Sequence, residues 1–176
     1  MKDNHEKFNP FNDYFYKYKL DITKEEKDQI YILIENTKSF SVSEQVLTSF
    51  TRNNILDFPI LINLRKKITQ ILNKLNLNLV ESWVQSYKKN NHHIIHTHPN
   101  SVYSGIIYVK GCDNGTKFLH PYGGMLESVS NRFNHIFDNK FVENTMILFP
   151  SFVAHYVEKH TSKNERIVIS FNTKDK

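Results

Sequence analysis

Near residue 79 the spacing of apolar residues changes from helical to alternating, which leaves few architectures open to the chain. Before that point, Thr23-Lys24-Glu25-Glu26 has the reciprocal pattern of a helix N-terminus, with Thr23 as cap and Glu26 answering it. Ile30, Leu33, Ile34 and Thr37 follow at helical spacing. A second helix is expected from Asp57, with Pro59 in its first turn, where a missing N–H costs nothing. Ile60, Leu61, Leu64, Ile68, Ile71, Leu72 and Leu75 form its apolar stripe, with Arg65, Lys66 and Lys67 on the outer side. Beyond it, residues 79–87, 94–98, 101–109, 117–120, 145–149, 153–157 and 166–172 are rich in strand formers. Turn signals at 99–100, 111–115, 121–124, 139–140 and 161–164 separate them, and 125–139 reads as a long loop over one mouth. Short strands joined by hairpins predict an antiparallel jelly roll or barrel. The expected fold is therefore mainly β with flanking α. Residues 1–78 would form a mostly helical buttress and 79–176 the jelly-roll core of a single domain, 1–176.

Length and composition narrow the class. The 176 residues suffice for one domain with a substantial core, and 39% hydrophobic with 13% aromatic content excludes a disordered chain. A net charge of +5 would suit an acidic partner. The cations (Lys24, Lys66, Lys88, Lys110, Lys159) are scattered among acidic residues, however, so a solvated surface is expected and a nucleic-acid partner is not. A lone cysteine, Cys112, excludes an internal disulfide and fits a reducing compartment. The polar start, residues 1–7, has no apolar stretch behind it, and no apolar run reaches membrane-spanning length. A cytoplasmic protein is expected.

The chemistry-bearing residues cluster in the second half. His96 and His98 are one residue apart on an expected strand, where i and i+2 share a face. His155 could close a metal site from a later strand, leaving the far side of the ion open. Imidazole suits iron, zinc, copper and nickel, so the ligands alone do not name the metal. Arg166 narrows the choice. It opens the apolar run Ile167-Val168-Ile169-Ser170-Phe171, where a guanidinium is costly unless it meets an anion. Its planar fork fits a carboxylate. A metal beside a carboxylate clamp implies a small dicarboxylate between them, chelated at one end and paired at the other.

Two blocks carry a family resemblance. The first is His96-Thr97-His98-Pro99-Asn100-Ser101-Val102-Tyr103-Ser104-Gly105-Ile106-Ile107-Tyr108-Val109. The second is Leu148-Phe149-Pro150-Ser151 before His155, followed by Arg166-Ile167-Val168-Ile169-Ser170-Phe171-Asn172. From about Trp83 to the end, the chain resembles the Fe(II)/2-oxoglutarate-dependent oxygenases, and within them a branch with a His-x-His-Pro-Asn-Ser segment leading into Ser-Gly. The resemblance implies a double-stranded β-helix, the jelly roll also seen in cupins. It implies Fe(II) as metal, with His96 as first ligand and His155 as distal ligand. Arg166 would pair with the C5 carboxylate of 2-oxoglutarate, helped by Ser170 or Tyr108, while Ser104, Gln85 and Asn172 would line the pocket. The implied reaction decarboxylates 2-oxoglutarate to succinate and CO2 while O2 oxidises, typically hydroxylates, a second substrate.

The chain departs from the wider pattern at two places. His98 stands where the superfamily carries Asp or Glu, which would leave the iron site one charge more positive. The narrower branch shares His-x-His, so His98 is expected as third ligand, with Asp113, Glu127 or Asp138 as alternatives. His120-Pro121-Tyr122 replaces an acidic residue, proline and arginine, which points to a different second substrate.

Other residues have blander readings. His92 and His93 are expected on a polar loop or strand surface, and His120, His135 and His160 exposed. Tyr103, Tyr108, Phe118 and Phe149 would fill the barrel, and Trp83 would pack between layers. Two other functions compete: a three-histidine cupin-type dioxygenase without 2-oxoglutarate, and a non-enzymatic basic binding module. Arg166 argues against the first, and the lack of a recognition motif against the second.

Overall fold

The computed structural model describes residues 5–8, 14–36, 46–47, 49–50, 54–111, 115–123 and 135–176. Twelve strands and two α-helices lie along these segments: β1 (His5–Phe8), β2 (Phe15–Lys19), α1 (Lys24–Asn36), β3 (Val46–Leu47), β4 (Ser49–Phe50), α2 (Ile62–Lys74), β5 (Leu77–Tyr87), β6 (His92–His96), β7 (Tyr103–Lys110), β8 (Thr116–Leu119), β9 (Ile136–Asn139), β10 (Thr145–Pro150), β11 (His155–Val157) and β12 (Arg166–Asp175). A seven-stranded sheet has the order β1-β2-β10-β7-β12-β5-β4, and a five-stranded sheet the order β3-β6-β11-β8-β9. Neighbouring strands pair antiparallel, as a jelly roll requires.

Alternation along the central strands divides the core into two layers. On β7, Ile106 and Tyr108 join Phe15, Phe118, Phe149, Val153 and Val168 in a cluster between the sheets. Their neighbours Ile107 and Val109 face the other way, onto Ile30 of α1 and Leu64, Ile68 and Leu72 of α2. Strands buried on both faces read as continuous apolar runs, which is why β10 and β12 look so hydrophobic in sequence. At the outer face Gly105 pairs with Phe171, and a Cβ on Gly105 would lie 2.0 Å from the Phe171 ring. Only glycine leaves room for the ring there.

The helices follow the local signals with one shift. Thr23 caps α1: the Glu26 N–H donates to Thr23 Oγ1 at 3.1 Å, and the Thr23 N–H donates to the Glu26 carboxylate at 2.9 Å. The second helix starts later than Asp57. Two 3-10 turns, Ile55–Asp57 and Pro59–Leu61, precede it. Pro59 opens the second of these turns, because its missing N–H is harmless there.

Among the described residues of the first 78, strands lie beside the helices. β2 extends the larger sheet beside β10 and sends Phe15 fully into the inter-sheet core, while Tyr16 and Tyr18 stack on each other and pack with the helix-side cluster. The period-2 pattern in Phe15-Tyr16-Lys17-Tyr18-Lys19 outweighs its position before the helices. In the stretch expected as a long loop, Ile136–Asn139 forms β9 paired with β8. Residues 124–134 and Cys112 lie outside the described residues. Among the described residues, the four with left-handed backbone are all asparagines: Asn76, Asn90, Asn100 and Asn144. Asparagine tolerates this conformation better than other non-glycine residues, so some of the chain's many asparagines serve its turns.

Candidate active site

The two sheets enclose a cavity of about 520 Å³, lined by residues of β5, β6, β7, β8, β10, β11 and β12. His96, His98 and His155 meet at its wall, with ligating nitrogens within 4.8 Å of one another. His155 opens β11 directly opposite His96 at the end of β6. His98 lies beyond the strand, fixed by its backbone N–H donating to the Ser151 carbonyl at 3.0 Å. His96 Nδ1 lies 2.8 Å from the Ile94 carbonyl, and His155 Nδ1 3.0 Å from that of Val153. Carbonyls only accept, so each Nδ1 carries the proton and each Nε2 offers a lone pair to the cavity. His98 Nε2 and His155 Nε2 are 3.2 Å apart. Two donors each ~2.1 Å from one ion at a right angle would be about 3 Å apart, so the spacing suits shared coordination.

Packing fixes these rings and keeps them neutral. Trp83 stacks against His98 at 5.8 Å, and Phe149 meets His155 edge-on at 4.8 Å. Burial, and after it the charge of His96, holds His98 down to about 4. Burial likewise lowers His96 and takes His155 well below its ordinary value. Neutral imidazole is the metal-binding form.

A second polar centre lies at the start of β12. Arg166 is fully buried, its guanidinium over the Tyr87 ring at 4.6 Å and within 5.9 Å of the Tyr108 ring. Nη2 donates to Thr116 Oγ1 at 3.3 Å, but the buried Nε and Nη1 have no hydrogen-bond partner. Tyr108 donates to Thr116 Oγ1 at 3.2 Å and accepts from Asn139 Nδ2 at 2.8 Å, so its hydroxyl is engaged behind the cavity wall. Between the two centres, Ser170 donates to Gln85 Oε1 at 2.9 Å. At the far end of β12, Ser104 donates to Asn172 Oδ1 at 2.7 Å and Asn172 Nδ2 donates to Glu81 Oε1 at 2.7 Å. The cavity is thus lined by every site residue named from the sequence except Tyr108, which stands behind it.

Residues 81–172 match the family model described as "Putative 2OG-Fe(II) oxygenase". The chain belongs to this family. It is a 2-oxoglutarate- and Fe(II)-dependent oxygenase, and neither the dioxygenase without 2-oxoglutarate nor the binding module describes it. No curated protein matches the sequence. Solved structures share the oxygenase's fold at low identity. HygX from Streptomyces hygroscopicus, with nickel and 2-oxoglutarate bound, superposes with a TM-score of 0.65 at 9% identity, covering 92% of this chain and 82% of that one. A prolyl hydroxylase from Trichoplax adhaerens, in complex with a hypoxia inducible factor peptide, gives 0.66 at 14%, covering 99% and 84%. The 2-oxoglutarate-dependent epimerase SnoN of nogalamycin biosynthesis gives 0.67 at 11%, covering 93% and 78%.

The donor set in the oxygenase fits both groups its family uses. Three convergent imidazoles suit a divalent transition metal, and a buried guanidinium with two unpartnered donor atoms suits a carboxylate. Of the alternative carboxylate ligands, Asp138 pairs with Lys117 at 3.8 Å and does not line the cavity, while Asp113 and Glu127 lie outside the described residues.

Several residues escaped the sequence reading. His93, expected on a polar surface, lines the cavity and stacks on His96 at 3.9 Å. Residues three apart on a regular strand face opposite ways, but a bulge between the His155–His96 and Val157–His93 pairs turns both inward. No local signal marks a bulge of this kind. Tyr87, Trp83 and Glu81 also line the cavity, and alternation from Gln85 would have found them. His160, expected exposed, is buried, with Nε2 donating to the Asn164 carbonyl at 2.6 Å. A histidine that closes a loop onto its own backbone looks no different in sequence from an exposed one.

Proposed function

We propose that this oxygenase hydroxylates a C–H bond of an organic second substrate, with succinate and CO2 as coproducts. His96, His98 and His155 would hold Fe(II) through Nε2, and Arg166 would pair its free donors with the C5 carboxylate of 2-oxoglutarate. The observation that carries this reading is the buried Arg166 guanidinium, whose Nε and Nη1 have no partner, in the cavity that three imidazoles enter. Bound there, ferrous iron and 2-oxoglutarate supply the activation of O2, one oxygen atom ending in succinate and the other in the hydroxylated product.

The chain's own part is binding and orientation. Thr116 sits beside Arg166 and would complete a polar seat for the distal carboxylate, and the Tyr87 ring supports the guanidinium from 4.6 Å. Gln85 and Ser170, bonded to each other, line the passage toward the histidines. The inter-sheet core around Phe118, Phe149 and Val168 excludes bulk water and so strengthens each polar contact inside. No helix among the described residues is long and apolar enough to cross a membrane. A cytoplasmic setting accords with the lone cysteine.

The test is anaerobic addition of Fe(II) and 2-oxoglutarate, which should produce the weak visible charge-transfer band of the chelate. Arg166→Ala should diminish it through loss of cosubstrate affinity. His96→Ala and His155→Ala should each abolish stoichiometric iron binding, and His98→Ala should weaken it strongly. No band with the wild type, or an undiminished band in Arg166→Ala, would count against the reading. Full iron affinity in His98→Ala would remove His98 from the ligand set.

A further inference from the structure

The cavity has two ends of opposite charge, and the proposed function uses only one of them. Arg166, Val168, Ser170 and Asn172 project inward along β12, opposite Tyr87, Gln85, Trp83 and Glu81 on β5. Six residues of antiparallel strand separate Arg166 from Asn172, roughly 20 Å. Among the described residues lining the cavity, Glu81 is the one carboxylate, and it lies at the end away from Arg166.

Glu81 lines the cavity and is exposed, yet it is anchored in the core. Its Oε1 accepts from Asn172 Nδ2 at 2.7 Å, Asn172 Oδ1 accepts from Ser104 at 2.7 Å, and Ser104 Oγ lies 2.8 Å from Ser151 Oγ. Asn172, Ser104 and Ser151 are 5%, 1% and 0% exposed, so a surface carboxylate is tied to a fixed internal chain. The adjoining backbone is also held: the Ser82 N–H donates to Asn54 Oδ1 at 3.1 Å, and the Leu56 N–H donates to Ser82 Oγ at 3.1 Å. A carboxylate with one oxygen held and its backbone braced is preorganised, so it loses little freedom on meeting a ligand. Trp83 is the next inward residue on β5, and its ring lies against His98. The Glu81 backbone therefore lies about 7 Å along the strand from that of Trp83, the residue that touches the histidine cluster.

We propose that Glu81 receives a cationic nitrogen group, ammonium or guanidinium, of the second substrate, and that this oxygenase acts on positively charged small molecules or side chains. The assignment rests on the reading that the 2-oxoglutarate carboxylate neutralises Arg166, which leaves Glu81 to set the sign of the remaining space. A substrate carboxylate or phosphate would be repelled there. A cation at Glu81 would lie on the wall formed by the larger sheet, and Trp83, the next inward residue on β5, packs against His98 of the histidine cluster.

Three probes of nearly one shape and different charge test this: phenethylammonium, phenethyl alcohol and 3-phenylpropionate. Their binding is measured by ligand-observed NMR on nickel-loaded protein with 2-oxoglutarate present, and 2-oxoglutarate affinity is measured in parallel by calorimetry. Phenethylammonium should bind about ten-fold or more tighter than either other probe. Glu81→Gln keeps an acceptor for Asn172 and should bring the three within about two-fold, and Glu81→Lys should reverse the preference toward 3-phenylpropionate. Both variants should bind 2-oxoglutarate as the wild type does. Equal binding, no binding of any probe, or a preference that survives Glu81→Gln overturns the assignment while leaving the cosubstrate reading intact. Failure of the wild type to bind 2-oxoglutarate overturns the cosubstrate reading, and this assignment with it.

Discussion

His93 stacks on His96 at 3.9 Å, the rings of His96, His98 and His155 lie 4.2–5.2 Å apart, and burial favours the neutral form of all four. Burial, and after it the charges of neighbouring imidazoles, holds His93 down to about 3 and His98 down to about 4, from an ordinary 6.5. His96 and His155 move the same way. A base whose folded pKa is lowered stays neutral in the fold while the unfolded chain takes up protons. The stability these groups contribute is therefore complete above about pH 6.5 and falls as the pH drops from there toward the folded values. For protein stripped of metal by a chelator, the urea midpoint should be lower at pH 5 than at pH 7.5 and nearly unchanged between pH 7.5 and 8.5. A midpoint at pH 5 equal to that at pH 7.5 would show that the imidazoles are not held neutral by their surroundings.

Within elements, alternation decides which residues reach the site and which reach the helices. β7 shows this most clearly. Ser104 and Ile106 line the cavity with Tyr108 behind them, whereas Ile107 and Val109 meet the helix-side core. Gly105 lies under the Phe171 ring, so Gly105→Ala should force that fully buried ring out of its place. Overpacking of this kind should destabilise the fold by about 1–3 kcal/mol. Urea denaturation would show it as a lowered midpoint at unchanged slope. An unchanged midpoint would mean that the ring shifts freely, against the close packing seen on the outer face.

At the scale of the whole molecule, the site joins two sheets. Arg166 and Trp83 belong to the larger sheet, while His96 and His155 belong to the smaller. Ligands bound across them should therefore hold the sheets together. At about 100 times its dissociation constant, 2-oxoglutarate should add about 2.7 kcal/mol, or several degrees of melting temperature. The rise should need the metal and should vanish in Arg166→Ala. A rise of equal size without metal would separate the cosubstrate site from the histidines.

Much of this was legible in the sequence. His96-Thr97-His98, His155 and Arg166 were legible as a constellation only when read together and with the blocks around them, because a histidine alone on a strand is more often structural. The capping box at Thr23 and most strands were also readable, since both depend on residues close in the chain. Residues that depend on distant partners were not. Only the tertiary structure showed that β2 joins the larger sheet, that a bulge turns His93 inward, that Tyr87 lies under Arg166, and that Glu81 sits at the opposite end of the cavity from Arg166. Spacing along a chain fixes the side of a strand on which a residue falls. The strand across the sheet, and so what the residue meets, is decided by pairing between segments many residues apart.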